Sequence, residues 1–165
     1  MGSLSIQKGK RAERNVASAL NPILERLVAG IGCDPVKLKR NLAQTQQGGF
    51  DLEGLPWIAI EIKHHKAVSL GSWWAQCCQQ AGCDQGGAPI VGRTYREPVL
   101  IWKQHGGKWN VRMLGRLEIE KGRRLRVVVD VSFDAFLVWF EKRAEVELRK
   151  AVEDTLPVDT GGLFG

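Results

Sequence analysis

Apolar residues fall into two periods along the chain, and the switch between them marks the elements. From 9 to 28, Ala12, Val16, Ala19, Leu20, Ile23, Leu24, Leu27 and Val28 recur at helical spacing. Asn21-Pro22 interrupts that run and either caps a second helix or kinks one. Residues 29–40 read as a turn-rich connection ending in a basic cluster. A strand-like stretch from Gln44 to Glu53 precedes the short apolar run Trp57–Lys63, and Gly54-Leu55-Pro56 between them suits an antiparallel hairpin. Helical period returns over 70–81, where Leu70, Trp73, Trp74, Cys77, Cys78 and Ala81 share a face and Ser69 or Ser72 is the expected cap. Gly82 to Pro89 breaks it. Strands are expected over 99–104 and 108–114, flanking Gly106-Gly107, and over 123–131 after Lys121-Gly122. A last helix is expected over 133–152, with Phe133, Phe136, Leu137, Phe140 and Ala144 on one face.

The order helix, β-hairpin, helix, strands, helix predicts an α/β domain with a central mixed β-sheet flanked by α-helices. Its 165 residues suit one domain, taken as 1–154, with 155–165 as a loose tail. A chain of this size buries a core without staples. No apolar run approaches the ~20 residues a membrane span needs. The basic start lacks an apolar signal segment, so a cytoplasmic protein is expected. Cys33, Cys77, Cys78 and Cys83 form no C-x-x-C, have no zinc spacing with the three histidines, and are expected as free thiols.

Charge narrows the partner. The net charge is +6, and it is uneven: residues 1–40 hold eight Lys/Arg against three Asp/Glu, whereas 134–165 hold four against seven. A basic body favours a polyanion, most often nucleic acid, although solubility alone accounts for such charge about equally well.

The candidate chemistry lies in the hairpin. Glu61 and Lys63 stand two apart in an apolar strand and share a face, with Ile60 and Ile62 on the other. Charges inside a buried strand cost free energy unless paired or metal-bound. Asp51, in the facing strand, falls across from the Glu61 region. Two carboxylates and a backbone carbonyl make an oxygen-rich site suited to Mg²⁺ or Mn²⁺, beside a lysine able to orient water or offset charge on a reacting phosphate. On a wheel with Ala12 at 0°, Glu13 falls at about 100°, close to Leu20 at about 80°, and so at the edge of the apolar stripe. It is either a third acid reaching the sheet or a carboxylate favoured near a helix start.

These residues resemble a known group. Gly49-Phe50-Asp51 followed by Glu61-Ile62-Lys63 looks like the core of the PD-(D/E)XK nuclease superfamily, with Phe50 where the proline stands. Glu13 within Lys8-Gly9-Lys10-Arg11-Ala12-Glu13-Arg14 resembles the leading helix of archaeal-type Holliday junction resolvases. The stretches from Arg40 to Asp51 and around Trp73-Trp74-Ala75-Gln76 look like small phage-encoded members. The resemblance covers roughly residues 7–114; Gly92–Pro98 and the hairpin at Lys121-Gly122 have no clear counterpart.

It implies a restriction-endonuclease-like core, a homodimer, and metal-dependent cutting of two opposed strands of a four-way DNA junction to leave 5′-phosphates. Asp51, Glu61 and Glu13 would bind Mg²⁺, with Mn²⁺ as a substitute. Lys63 would assist the water, and Gln80 would reach the site. Lys8, Lys10, Arg11, Arg14, Arg40, Lys66 and Gln76 are the expected DNA contacts. An endonuclease of another role, cutting duplex or flaps in restriction or repair, would use the same residues, and a non-catalytic DNA-binding protein would use the acids structurally. His64-His65 read as exposed polar residues at a strand end or as phosphate contacts. Trp73 and Trp74 read as core or a dimer surface rather than base-stacking groups.

Overall fold

A computed structural model describes residues 2–43 and 49–155 of the chain, with side chains from Ile6 onward. Helix α1 spans Gly2–Ile31 and is followed by strand β1 at Lys39–Arg40, β2 at Leu52–Glu53 and β3 at Ile58–His65. Helix α2 at Leu70–Gln80 leads to β4 at Glu97–Gln104, β5 at Asn110–Glu120, β6 at Arg123–Ser132 and helix α3 at Phe133–Thr155. The six strands form one sheet in the order β1-β2-β3-β4-β5-β6. Only β3 and β4 pair in parallel, across the α2 crossover; the other neighbours are antiparallel. The protein is thus an α/β structure with a mixed sheet flanked by helices.

Period-two alternation in β3 and β4 sorts the side chains between two layers. Ile58, Ile60, Ile62, Val99 and Ile101 join Val16, Leu20, Leu24, Phe136 and Phe140 in a core between the sheet, α1 and α3. Ala59 and Leu100 face the other way, onto Trp73, Trp74, Cys77 and Cys78 of α2 and Ala81 just after it. Each fully buried Leu, Ile or Phe contributes about 1.5–3 kcal/mol, so both faces of β3 are anchored. Trp73 and Trp74 are therefore core residues, and Trp74 Nε1 donates to the Gln85 carbonyl at 3.0 Å.

Several expectations are revised. α1 runs unbroken through Pro22. Asn21 neither caps nor ends it; its amide donates to the Leu38 carbonyl at 3.0 Å and accepts from the Leu38 N–H at 2.8 Å, which fastens the chain entering β1 to the helix. The expected connection over 29–40 therefore begins later and includes β1. The strand expected from Gln44 to Glu53 is only Leu52–Glu53 among the described residues, and 44–48 lie outside them. Ser69 occupies the position before α2, but its hydroxyl lies 2.7 Å from the Ser72 hydroxyl and caps no backbone N–H. β6 falls within a residue of its predicted bounds, whereas β5 runs six residues past its predicted end at 114, and the two form a long antiparallel ribbon turning at Gly122. The tail from residue 156 lies outside the described residues.

The hairpin that carries the acids forms as the pattern requires. Leu52 pairs with Ile60, which places Asp51 opposite Glu61 by antiparallel count. Its turn depends on Gly54, whose φ of +126° suits glycine and whose Cβ, if present, would fall 2.2 Å from the Lys37 carbonyl oxygen. The hairpin is thus packed directly against the chain entering β1.

Candidate active site

β3 carries Glu61 in its buried half and Lys63 where the strand emerges. Glu61 is 1% exposed, yet it lies on the α2 face among apolar groups, because the strand's alternation fixes its direction. Lys63 Nζ lies 2.6 Å from Glu61 Oε1, the same-face pairing that the two-residue spacing predicts. The second carboxylate oxygen, Oε2, is buried with no hydrogen-bond partner among the described residues. Asp51 is 6% exposed at the start of β2. Its backbone N–H donates to the Ile60 carbonyl at 2.9 Å, and its Oδ2 accepts from the Ile62 N–H at 2.5 Å. Asp51 is therefore clamped across β3 at the level of Glu61. Asn41 supports it from β1's end, donating its N–H to the Asp51 carbonyl at 2.9 Å and its amide to the Phe50 carbonyl at 3.1 Å.

The electrostatics follow from this geometry. Burial is the largest influence on Glu61, followed by the charge of Asp51. The hydrogen bond and charge of Lys63 oppose them, Glu13 adds to them, and the carboxyl is pushed up to about 7. Near neutral pH Glu61 thus holds a proton as readily as it holds a negative charge, and a cation placed at its unpartnered oxygen would take the proton's place.

Glu13 lies close enough to raise Glu61, but its carboxylate is paired with the Arg40 guanidinium. The ion pair joins α1 to β1 and is only partly exposed. Glu13 thus faces a cation, and Arg40, expected on DNA, is engaged by an acid. Among the described residues, no three His, Cys, Asp or Glu side chains converge as a metal-holding group. What fits a divalent cation is the pair Asp51 and Glu61, with one buried orphan oxygen and hard oxygen donors.

The remaining expected residues lie on α1, on α2 and in the loop after β3. Gln80, at the end of α2, is half-buried, and its Oε1 is buried without a hydrogen-bond partner among the described residues. It stands three residues from Cys77, which faces Glu61; Cys77's thiol is pushed up by burial, then by Cys78, Glu61 and Cys83, and so is no nucleophile. Gln76, a turn earlier, is exposed, as is Lys66 in the loop after β3. Lys8, Lys10, Arg11 and Arg14 are exposed along α1 and with Gln7 line a groove of about 550 Å³. His65 lies against Trp73, 5.3 Å between ring centres, while His64 turns to the α1 side, next to His105 and Trp109. The contacts absent from the expectations are Arg40 on Glu13 and Asn41 on the Asp51 and Phe50 backbone. Each joins residues from different elements; only the partly buried helix position of Glu13 hinted at a partner. A cleft of about 520 Å³ among β5, β6 and α3 contains none of the expected site residues.

All four cysteines are free thiols. Among the described residues, no helix is long and apolar enough to cross a membrane. No family model, curated protein or solved structure matches the chain.

Proposed function

We propose that the protein is a metal-dependent DNA endonuclease with a restriction-endonuclease-like core, and that it resolves four-way junctions as a homodimer. The observation that carries this reading is the buried pair Asp51 and Glu61, opposed across a hairpin, with Lys63 ion-paired to Glu61 at the emerging end of the same strand. A structural ion pair does not need a second buried carboxylate, which raises the cost of the first. A site that takes up a divalent cation does.

Asp51 and Glu61 would hold Mg²⁺, or Mn²⁺ in its place. When bound, the ion supplies a Lewis acid that polarises a phosphate oxygen and acidifies water. The chain's own residues do the rest. The Ile62 N–H fixes the rotamer of Asp51. Lys63 sets its Nζ 2.6 Å from Glu61 Oε1 and would offset the charge that grows on a phosphate under attack. The Gln80 carbonyl, without a hydrogen-bond partner among the described residues, would accept a proton from a water entering the site. Glu13 positions Arg40 and adds negative potential at Glu61. The basic face of α1 grips phosphates and makes binding strongly salt-dependent. Cutting two opposed strands requires two such sites, which a two-fold dimer provides.

The reading is tested by competing an immobile four-way junction against linear duplex built from the same arms, with Mg²⁺. Preferential, paired nicking of the junction is expected. Equal rates on both would leave an endonuclease and remove the resolvase.

A further inference from the structure

A second basic cleft lies on the opposite face of β3 from the carboxylates. Lys63 points to the α2 face, so its neighbour His64 points to the α1 face. There it meets Lys103 and Trp109 from β4 and the following connection, and Lys8, Arg11 and Asn15 from one side of α1. Together these line a cleft of about 320 Å³ with no carboxylate among them. The floor is aromatic: Lys103 Nζ lies over the Trp109 ring, 5.1 Å from its centre, and His64 packs on His105 at 4.8 Å and near Trp109 at 6.0 Å. Three basic side chains thus converge over a half-buried aromatic wall, with no carboxylate among the lining residues. Burial first, and then the charges of Lys103, His105, Lys8 and His65, lower the proton affinity of His64. Lys8 and Arg11 also line the adjoining α1 groove, so the cleft opens onto the basic track.

We infer that this cleft is a phosphate subsite, holding a backbone phosphate of the DNA through Lys103, Lys8 and Arg11, with Asn15 and His64 as hydrogen-bonding groups. Naming DNA as the source of the phosphate rests on the nuclease reading. The cleft sits one residue along β3 from Lys63 and on the other side of the sheet. A phosphate seated there fixes a second point of the substrate, so that the strand engaged at Glu61 cannot slide.

The test is anisotropy of a labelled four-way junction in EDTA, over a series of KCl concentrations, for the parent, Lys103→Gln and Arg11→Gln. Lys150→Gln serves as a control, because Lys150 sits beside Glu147 and Asp154, away from this cleft. Each cleft variant should bind about tenfold more weakly near 0.15 M salt, and the slope of log K on log salt should flatten by about 1, while Lys150→Gln matches the parent. Pyrophosphate alone should shift the Trp109 indole signal in the parent and not in Lys103→Gln. Circular dichroism and thermal midpoint confirm that the variants are folded. If the parent binds the junction and both cleft variants keep its affinity and slope, the subsite is refuted and the nuclease reading stands. If the variants weaken as stated but the parent cuts no DNA with Mg²⁺, the subsite stands and the nuclease reading falls. A parent that binds no DNA at low salt refutes both.

Discussion

Replacing Glu61 by Gln should stabilise the metal-free protein at high pH. Glu61 titrates from an ordinary value of 4.5 up to about 7 in the fold, chiefly through burial and Asp51. The folded state therefore holds this proton more tightly than the unfolded chain. Its contribution to stability is fully present below about pH 4.5 and is lost as pH rises to about 7, above which the cost of burying the anion is constant. At 1.36 kcal/mol for each tenfold step in proton affinity, the full displacement is worth about 3 kcal/mol, of which about 2–3 kcal/mol falls between pH 5 and pH 8. Glu61→Gln removes the titration and keeps the volume. It also strips Lys63 of a partner at 2.6 Å, but Lys63 is 17% exposed and water reaches it. The pull of Lys63 is already part of the net value of about 7, so the difference between the two pH values reads the whole titration of the carboxyl. Urea unfolding in EDTA at both pH values is the assay. The variant should gain about 2–3 kcal/mol on the parent from pH 5 to pH 8, and adding Mg²⁺ at pH 8 should narrow the gap by stabilising the parent alone. A stability difference that stays constant between the two pH values would refute the reasoning, since it would mean that Glu61 ionises in the fold as it does in the open chain.

Asp51→Asn should abolish cutting and leave junction affinity within about threefold of the parent, because the α1 groove is untouched and an amide oxygen still accepts from the Ile62 N–H; parallel loss of binding in a gel-shift assay would count against its role. Lys63→Ala should slow single-turnover cutting about 10²–10³-fold with little change in binding, the usual cost of removing one group that stabilises developing charge; a loss below threefold would make it a structural partner of Glu61 only. Asn21→Ala should destabilise by about 1–3 kcal/mol, because it strands both the N–H and the carbonyl of Leu38; an unchanged urea midpoint would show that water replaces both bonds.

How legible each part was depended on how local its cause was. Ile58, Ile60 and Ile62 alternate with Ala59 and Glu61, and that alone set the two faces of β3. The Trp73/Cys77 and Trp74/Cys78 spacing likewise set α2, because i,i+4 pairs share a helix face. The hairpin that brings Asp51 to the Glu61 region was readable, but a turn of 54–56 alone would set Asp51 opposite Ala59, and the register of Leu52 on Ile60 moves it two residues along to Glu61. What was not readable depends on groups far apart in sequence. Pro22 looked like a break, but it lies in a helix held against the sheet and α3 by Leu20 and Leu24, and packing outweighs the missing hydrogen bond. Glu13 and Arg40 are 27 residues apart, and no period links them. The second half of β5 was missed because Arg116, Glu118 and Glu120 dilute its apolar alternation, while pairing with β6 sustains it. The cleft at His64 draws on three separate segments and has no motif at all.

The most direct measurement is end-labelled cleavage of an immobile four-way junction by the parent and by Asp51→Asn, each with Mg²⁺ and with EDTA. The account predicts symmetric nicks with 5′-phosphate ends for the parent with Mg²⁺ only. Failure of the folded parent to nick the junction with Mg²⁺ or Mn²⁺, or nicking that survives EDTA or the Asp51 substitution, would contradict it.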